Sequence, residues 1–558
     1  MIADASGWGA NQASSLQALR DLRSARRRHY AAQVDWIEAG YRLYLGVIFG
    51  GWALALISGA LADVRVDSHA LAQIHQRGAA ALGLLVAVAV AAGLRSGGRG
   101  GPLVLEAPDV QHVLLAPVDR GAALRGLAVR RLRTAGFLGV VLGLVAGIFA
   151  FRRLPGRPAE WLLCGALFGA AVAVSALSSA LIASGRRFHR AAIWVLAALI
   201  IGWSAADWFG ERVTSPASML GALALWPLHR ANASFVLPAA GLVVVTGAAV
   251  LGLTGLAGTS LEAARRRAGL AAQLRFAVTT QDLRAIILLR RQLASEIPRR
   301  RPWLRLAPPD GPQRRPWLRL APPDGPQRRP WLRLAPPNGP RNAIWRRDWQ
   351  SFLRWPLVRV LRVGALGALA GLSLLAVWRG TTPLVLVAAF ALMVAAFDAV
   401  EPIGQEVDHP TLLALLPVGA GQVVRQHLRA PTTVMAGVGL IAAVAAIVAG
   451  APAGLIGVIV VMTVPTALLS LSCAALSVTN DPFAYVLAPE LGYFQTGLPV
   501  ALVVIGVGGP VLLARQAARH GASPVGAAVA CELAVFAVSL AVMAWLGSRV
   551  AARVPVRS

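Results

Sequence analysis

The chain of 558 residues is too apolar for a water-soluble protein, because 56% of its residues are hydrophobic and only 14% are charged. A soluble domain has about 25% charged residues, and the mean hydropathy here is +0.62. The formal net charge is +29, carried entirely by Arg because the sequence contains no Lys. A P-loop needs a Lys to reach the β- and γ-phosphates, so the composition excludes an ordinary nucleotide site of that kind.

Residues 1–42 are predicted to be a cytoplasmic N-terminus with an interfacial helix. Apolar and aromatic positions such as Leu16, Tyr30 and Trp36 alternate there with Arg and Asp, a pattern typical of a helix lying in the headgroup region. A cleavable signal peptide is not predicted, because its apolar core would have to come earlier.

Apolar segments long enough to cross the hydrocarbon core, about 20 residues each, come in two sets. We therefore predict an all-α polytopic membrane protein with about 12 transmembrane helices, arranged as two homologous six-helix halves at 43–258 and 344–547. The shortest predicted spans are 79–94 and 433–450. The full set is 43–62, 79–94, 135–151, 161–184, 191–209 and 234–258, followed by 357–377, 382–400, 433–450, 453–477, 492–514 and 523–547.

The segment between the halves, 259–343, is rich in Arg and is therefore predicted to be cytoplasmic by the positive-inside rule. The same rule places both termini, including the tail 548–558, in the cytoplasm, and the protein in the plasma or inner membrane. Within the linker, RPWLRLAPPDGPQR and close copies of it fill 301–342. Its prolines predict a semi-rigid linker; docking on anionic lipid is an alternative. Nucleic-acid binding is a remote third reading, and no nucleic-acid partner is predicted.

A second lead-in helix is predicted just before the seventh span. Trp345, Trp349, Phe352 and Trp355 stand beside several Arg residues there, which favours the membrane interface. The alternative is a helix that packs on cytoplasmic loops.

Five landmarks recur 300 positions apart, and each set lies between two apolar spans. Both sets fall in polar stretches, 105–134 and 405–431, that are too long to be tight turns. The repetition predicts that one cytoplasmic element occurs once in each half. The landmarks are Glu106, Pro117, Val118, Gly121 and Arg125, then Glu406, Pro417, Val418, Gly421 and Arg425.

The second copy reads EPIGQEVDHP (401–410) and LLALLPV (412–418), and it resembles the cytoplasmic loop of ABC-exporter permeases of the ABC-2 type. The first copy, LLAPVDRG (114–121), is similar to a Leu-Leu-x-Pro-Val/Ile turn common in that group. Half-length members have six spans, an interfacial lead-in helix and a coupling helix after the second span. The predicted layout of this chain shows all three twice.

This resemblance implies a permease subunit whose coupling elements, about 106–131 and 406–429, dock on two copies of a separate ATP-binding-cassette ATPase. Glu106 and Glu406 would make charged contacts, while Pro117 and Pro417 would set the bend of each loop. ATP would be bound by the partner subunit, and the chain itself would be neither an enzyme nor the holder of a cofactor.

Ionisable residues inside spans are functional candidates because burying them in lipid is costly. Glu532 lies in the last span, where a substrate- or proton-linked role and a structural one are both open. Asp398 and Glu401 end the eighth span. The three Cys lie inside spans with no spacing suited to a disulfide framework or a metal site.

Two other function classes fit parts of the sequence. A proton-coupled secondary transporter of the major-facilitator type also has two six-helix halves joined by a cytoplasmic loop, but the long element after the second span disfavours it. A polytopic membrane glycosyltransferase is a remote alternative, since such enzymes resemble this chain in having acidic residues in the first external loop, here Asp63 and Asp67 with His69.

Overall fold

The computed structural model describes most of the apolar chain and leaves parts of the loops and the N-terminal region undescribed. The described residues are 66–98, 101–103, 105, 110–114, 119–186, 188–229, 235–279, 285–286, 289, 340–407, 419–479 and 489–553, with isolated positions 17, 21, 24, 25 and 28. The predicted first span 43–62 and almost all of the repeats at 301–342 therefore lie outside the described residues, as does most of the predicted N-terminal helix.

The described chain is helical and contains no β-strand. The helices of the first half are α1 Ser68–Gly97, α2 Arg120–Phe151, α3 Pro158–Gly185, α4 Arg190–Gly210, α5 Pro216–Ala224, α6 Val236–Thr254 and α7 Leu261–Thr279. Those of the second half are α8 Pro340–Phe352, α9 Leu357–Trp378, α10 Leu384–Ala399, α11 Glu401–Val407, α12 Ala420–His427, α13 Arg429–Val448, α14 Ala453–Thr479, α15 Pro489–Arg519 and α16 Pro524–Arg553.

Ten described helices are long and apolar enough to cross a membrane, which agrees with a multi-pass all-α protein. They correspond to ten of the twelve predicted spans. The predicted spans 79–94 and 433–450 belong to longer helices, 30 residues in α1 and 20 in α13. The short one is instead α10, with 16 residues, about 24 Å at 1.5 Å per residue.

The chain divides into two compact units, residues 1–276 with 289–295, and residues 277–288 with 296–558. In the first unit, α3 packs along α1, α2 and α6. In the second unit, α14 packs against α13, α15 and α16, while α9 lies between α10 and α13. One long helix, α3 or α14, thus contacts three other helices of its unit.

Glycines, which have no Cβ, lie at the closest helix contacts of α2 and α9. A Cβ at Gly143 would lie 2.0 Å from the carbonyl oxygen of Gly165 in α3, and one at Gly371 would lie 2.0 Å from that of Ala442 in α13. Small residues at four-residue spacing allow such contacts in lipid, where helix association depends on close packing.

Two tight turns join helices of the second unit at glycines with positive φ. Gly380 follows α9 with φ 107° and Gly450 follows α13 with φ 75°, conformations that glycine adopts without the strain of a Cβ. The Arg379 guanidinium donates to the carbonyl oxygens of Ala449 and Gly450, each at 3.2 Å. The ends of α9 and α13 are therefore tied together.

Coupling elements and buried carboxyl groups as the candidate functional site

The structure describes half of the ten landmark residues of the two coupling elements. Gly121, Arg125, Glu406, Gly421 and Arg425 are described, whereas Glu106, Pro117, Val118, Pro417 and Val418 lie outside the described residues.

Gly121 and Gly421 occupy equivalent places in their units. A Cβ at Gly421 would lie 2.6 Å from the carbonyl oxygen of Gly547, near the end of α16. A Cβ at Gly121 would lie 3.5 Å from the Cβ of Ala257, in the 3-10 turn that follows α6. Each landmark glycine therefore packs against the end of the last apolar helix of its own unit.

Arg125 and Arg425, four positions after these glycines, are both exposed. The Arg425 Nε atom donates to the carbonyl oxygen of Gly421 at 3.3 Å, one helical turn earlier. Two equivalent arginines thus present cationic groups at the surface, on helices whose glycines are packed inward.

The first coupling element is covered by apolar contacts. Its π-helical turn Val110–Leu114 buries both end residues. Asp119 then caps α2, because its carboxylate accepts from the backbone N–H of Ala122 at 2.8 Å and of Gly121 at 3.3 Å. The first coupling element shares an apolar core with α2, α3, α7 and the turn after α6. This core consists of Leu103, Leu105, Val110, Leu114, Leu124, Ala128, Leu181, Leu256 and Ala268.

The second coupling element is held at both ends by adjacent residues of α8. At its entry, Arg347 donates to the carboxylate of Glu406, which is 7% exposed. At its exit, the Nδ1 atom of His427 lies 2.9 Å from Oδ2 of Asp348, and both side chains are 2% exposed. The Nε2 atom of His427 is 4.0 Å from Oε1 of Glu406. Helix α8, the predicted lead-in helix of the second half, therefore joins α11 to α12.

Burial raises the pKa of Asp348 above its ordinary value of 3.8. The hydrogen bond to His427 and the charges of His427 and Arg347 act in the opposite direction, while the charge of Glu406 adds to the rise. The carboxyl group thus depends on its cationic partners to stay ionised in this buried position.

Asp398 and Glu401, predicted as candidates at the end of a span, are both ion-paired. The Arg362 guanidinium binds Asp398 through two hydrogen bonds of 2.9 and 3.0 Å. The Arg359 guanidinium donates to Glu401 and to the backbone carbonyl of Asp398. The start of α9 is thereby clamped to the end of α10 and the start of α11.

The aromatic face of the lead-in helix lies against the core of its own unit. Phe352 and Trp355 are each 6% exposed and belong to that core, and Trp345 and Trp349 pack against it. The Arg359 guanidinium stacks on Trp355 at 4.1 Å from the ring centroid, an attraction between cation and ring quadrupole. The aromatics therefore seat the same arginine that binds Glu401.

Glu532 on α16 is 3% exposed, and neither carboxylate oxygen has a hydrogen-bond partner among the described residues. The side chain faces Thr466 of α14, whose hydroxyl is also without a hydrogen bond in the described structure. Of the three acidic candidates inside or at the ends of spans, Glu532 alone lacks a bound cation.

Asp207 is a buried structural carboxylate that the sequence analysis did not select. It is 3% exposed and accepts from the hydroxyl of Ser218 at 2.6 Å and the N–H of Ser215 at 2.8 Å, with further bonds from Thr214. It fixes the turn before α5, which Ser215 and Pro216 begin. The Thr-Ser-Pro run after Asp207 was a readable start signal for that helix.

The residues of the glycosyltransferase alternative do not form a cluster in the described structure. Asp67 and His69 are exposed at the start of α1, and Asp63 lies outside the described residues. Within the described part of the chain, no group of three or more His, Cys, Asp or Glu residues is placed to hold a metal ion.

In comparisons with family models, curated proteins and solved structures, the chain shows no match.

Proposed function

We propose that this chain is the membrane-spanning permease subunit of an ABC-type exporter, driven by a separate ATPase that docks on its two coupling elements. The observation that carries the proposal is the equivalence of Gly121 and Gly421. Each packs against the end of the last apolar helix of its unit and is followed by an exposed Arg. A movement imposed on either element would be passed directly to a span.

The contacts of the second element give this transmission a physical route. Arg347 and Asp348 connect both ends of the element to α8, and α8 leads into α9 after four residues. Arg359 and Arg362 then connect α9 to α10 and α11. Because packed helices move as rigid bodies, a push on α12 would reach α8, α9, α10 and α11.

The proposal includes twelve spans with cytoplasmic termini. Ten come from the long apolar helices, and the eleventh is α10, which α11 extends to Val407 after a break at Val400. The twelfth is the apolar segment 43–62. This arrangement puts the Arg-rich segments 120–133 and 259–362 on the cytoplasmic side, as the positive-inside rule requires.

The test is ATP hydrolysis by the complex purified from native membranes through a tag on this chain. We expect hydrolysis that is lost when the partner subunit is stripped away, because the chain has no P-loop Lys. A preparation that contains this chain alone, and that hydrolyses no ATP before stripping, would contradict the proposal.

A proton-coupled secondary transporter is the second candidate, and it is favoured by the buried Glu532 carboxyl, which has no cationic partner among the described residues. In that case the chain would act without a partner, and a proton gradient would replace ATP. Reconstitution of the chain alone separates the two, since only the secondary transporter would then acidify or alkalinise vesicles in a Glu532-dependent way.

A further inference from the structure

Three exposed arginines on α2, Arg130, Arg131 and Arg133, form a cationic cluster, which we call the α2 arginine cluster. Their guanidinium groups form no ion pair within the described part of the chain, and α2 itself contains no acidic residue. Exposed guanidinium groups without a counter-charge are available to an anion from outside the chain, and they suit the oxygens of a phosphate.

The length of α2 places the α2 arginine cluster at the border of the hydrocarbon core. The helix has 32 residues, about 48 Å at 1.5 Å per residue, whereas the core is about 30 Å thick and takes about 20 residues. Counted back from Phe151, where α2 ends, a crossing of this length reaches Leu132. The three arginines therefore lie at the level of the lipid head groups.

One face of α2 joins the cluster to exposed apolar side chains. Arg130, Phe137 and Val141 follow each other at helical spacing, and Phe137 and Val141 are 68% and 41% exposed. Gly139 and Gly143 lie on the opposite face and pack against the backbone of α3. The exposed face thus has a cationic end and an apolar stripe, which match the head group and the acyl chains of a phospholipid.

The second unit lacks this cluster at the positions 300 residues further along. Ala430 and Pro431 are buried there, and the Thr433 hydroxyl donates to the carbonyl oxygen of Ala430 at 2.7 Å. Of positions 429–433, only Arg429 carries a charge. Because the landmark residues of the coupling elements occur in both halves, the α2 arginine cluster is not part of that duplicated architecture.

We propose that the α2 arginine cluster binds the head-group phosphate of an anionic phospholipid whose acyl chains lie along Phe137 and Val141. A zwitterionic lipid carries its own cation beside the phosphate, so the cluster selects lipids with a net negative charge. Anionic lipids are found in the cytoplasmic leaflet, the side on which α2 begins in the proposed topology. The site goes beyond the proposed exporter function, because it uses neither an ATPase nor the landmark residues.

The experiment is native mass spectrometry of the full-length chain in mild detergent, titrated with dioleoylphosphatidylglycerol or dioleoylphosphatidylcholine. Both probes have the same acyl chains and a phosphodiester, but only phosphatidylglycerol has a net charge. We expect phosphatidylglycerol to bind at least tenfold more tightly, and excess inorganic phosphate not to displace it. Equal affinities for the two lipids would overturn the proposal. Displacement by inorganic phosphate would also overturn it, because the cluster would then bind a free anion.

Replacing all three arginines of the cluster with Gln should weaken phosphatidylglycerol binding at least tenfold, because each Arg near an anionic head group contributes about fivefold. The matched control removes the same charge from three exposed arginines outside the cluster, as Arg157→Gln, Arg212→Gln and Arg519→Gln. It should leave the affinity within about twofold. Equal losses in the two triple variants would show that binding follows net charge alone and would contradict a site on α2.

Arginines also orient spans in the membrane, so single variants accompany the triple variant. Arg130→Gln, Arg131→Gln and Arg133→Gln each retain two of the three arginines and should each weaken binding about fivefold. If the triple variant does not insert, these single variants decide, and wild-type affinity in all three would overturn the proposal. None of these outcomes depends on whether an ATPase co-purifies, so the exporter proposal is tested separately.

Discussion

Asp348 and His427 form a buried pair, 2.9 Å between carboxylate and Nδ1, that fastens the lead-in helix α8 to the coupling helix α12. The two residues are far apart in the chain, and their helices share no other pair of charges in the described structure. The pair therefore decides whether α12 and α8 move together.

Removing the histidine partner of Asp348 should destabilise the second unit. His427→Ala leaves the Asp348 carboxylate buried without it, which costs roughly 3 kcal/mol by analogy with broken buried ion pairs. The double variant Asp348→Leu with His427→Leu should lose less, because no charge remains. Thermal unfolding in detergent ranks the stabilities of wild type, the single variant and the double variant. A His427→Ala protein as stable as wild type would show that the pair does not contribute to stability.

The raised pKa of Asp348 fixes the sign of a pH effect. A carboxyl whose folded pKa is raised contributes stability below its ordinary value of 3.8 and loses that contribution as the pH rises through the folded pKa. The stability of wild type relative to Asp348→Asn should therefore fall as the pH increases from 3.8. If the stability of wild type relative to Asp348→Asn instead increased as the pH rose above 3.8, the raised pKa of Asp348 would be wrong. Chemical unfolding of both proteins across the pH range measures it.

Arg359 should matter more than Arg362 for the clamp between α9 and α10. The Arg359 side chain is 6% exposed and that of Arg362 is 36% exposed. Arg359→Ala removes the buried arginine that binds Glu401 and should cost about 3 kcal/mol, while Arg362→Ala should cost about 1 kcal/mol. A double-mutant cycle of Arg359 with Glu401 isolates the pair; a coupling energy near zero would contradict this role.

The landmark glycines predict an asymmetric response to alanine. At Gly421 the new Cβ would meet a backbone oxygen at 2.6 Å, whereas at Gly121 the nearest contact is 3.4 Å. Gly421→Ala should therefore displace α12 from α16 and lower the melting temperature by several degrees. Gly121→Ala should be tolerated. Gly419→Ala is the matched control, because nothing lies within 4 Å of that position.

Asp207→Ala should loosen the turn that starts α5. Hydroxyl and N–H donors of Thr214 and of the buried Ser215 and Ser218 would lose their acceptor, which costs about 1–3 kcal/mol for the cluster. Asp207→Asn, which keeps an oxygen in place, should cost less. Limited proteolysis after Arg212 reports the loosening directly, and unchanged cleavage in Asp207→Ala would refute it.

The spans were readable from sequence because lipid imposes one simple rule, an apolar helix of sufficient length. Their ends were less readable: α1 begins at Ser68, well before the predicted 79, because polar residues such as His75 and Arg77 extend the helix beyond the apolar segment. The end of a membrane-spanning helix therefore cannot be located from the end of its apolar segment alone.

The partners of the charged candidates could not be predicted, because they are distant in the chain. Nothing local marks Arg359 as the partner of Glu401, or Asp348 as that of His427. Glu532 stands out in both sequence and structure because its own helix and α14 offer it no cation. The role of Asp207 could not be predicted either, because its four donors lie in a turn whose geometry depends on α5.

The central claim is that an ATPase docks beside Arg125 and Arg425. A photo-reactive amino acid placed at each position in turn, with Phe209 at the exposed end of α4 as control, should capture that contact in native membranes. We predict that both positions cross-link a subunit carrying a Walker A motif and that position 209 does not. Cross-links confined to lipid or to this chain at both positions would contradict the account.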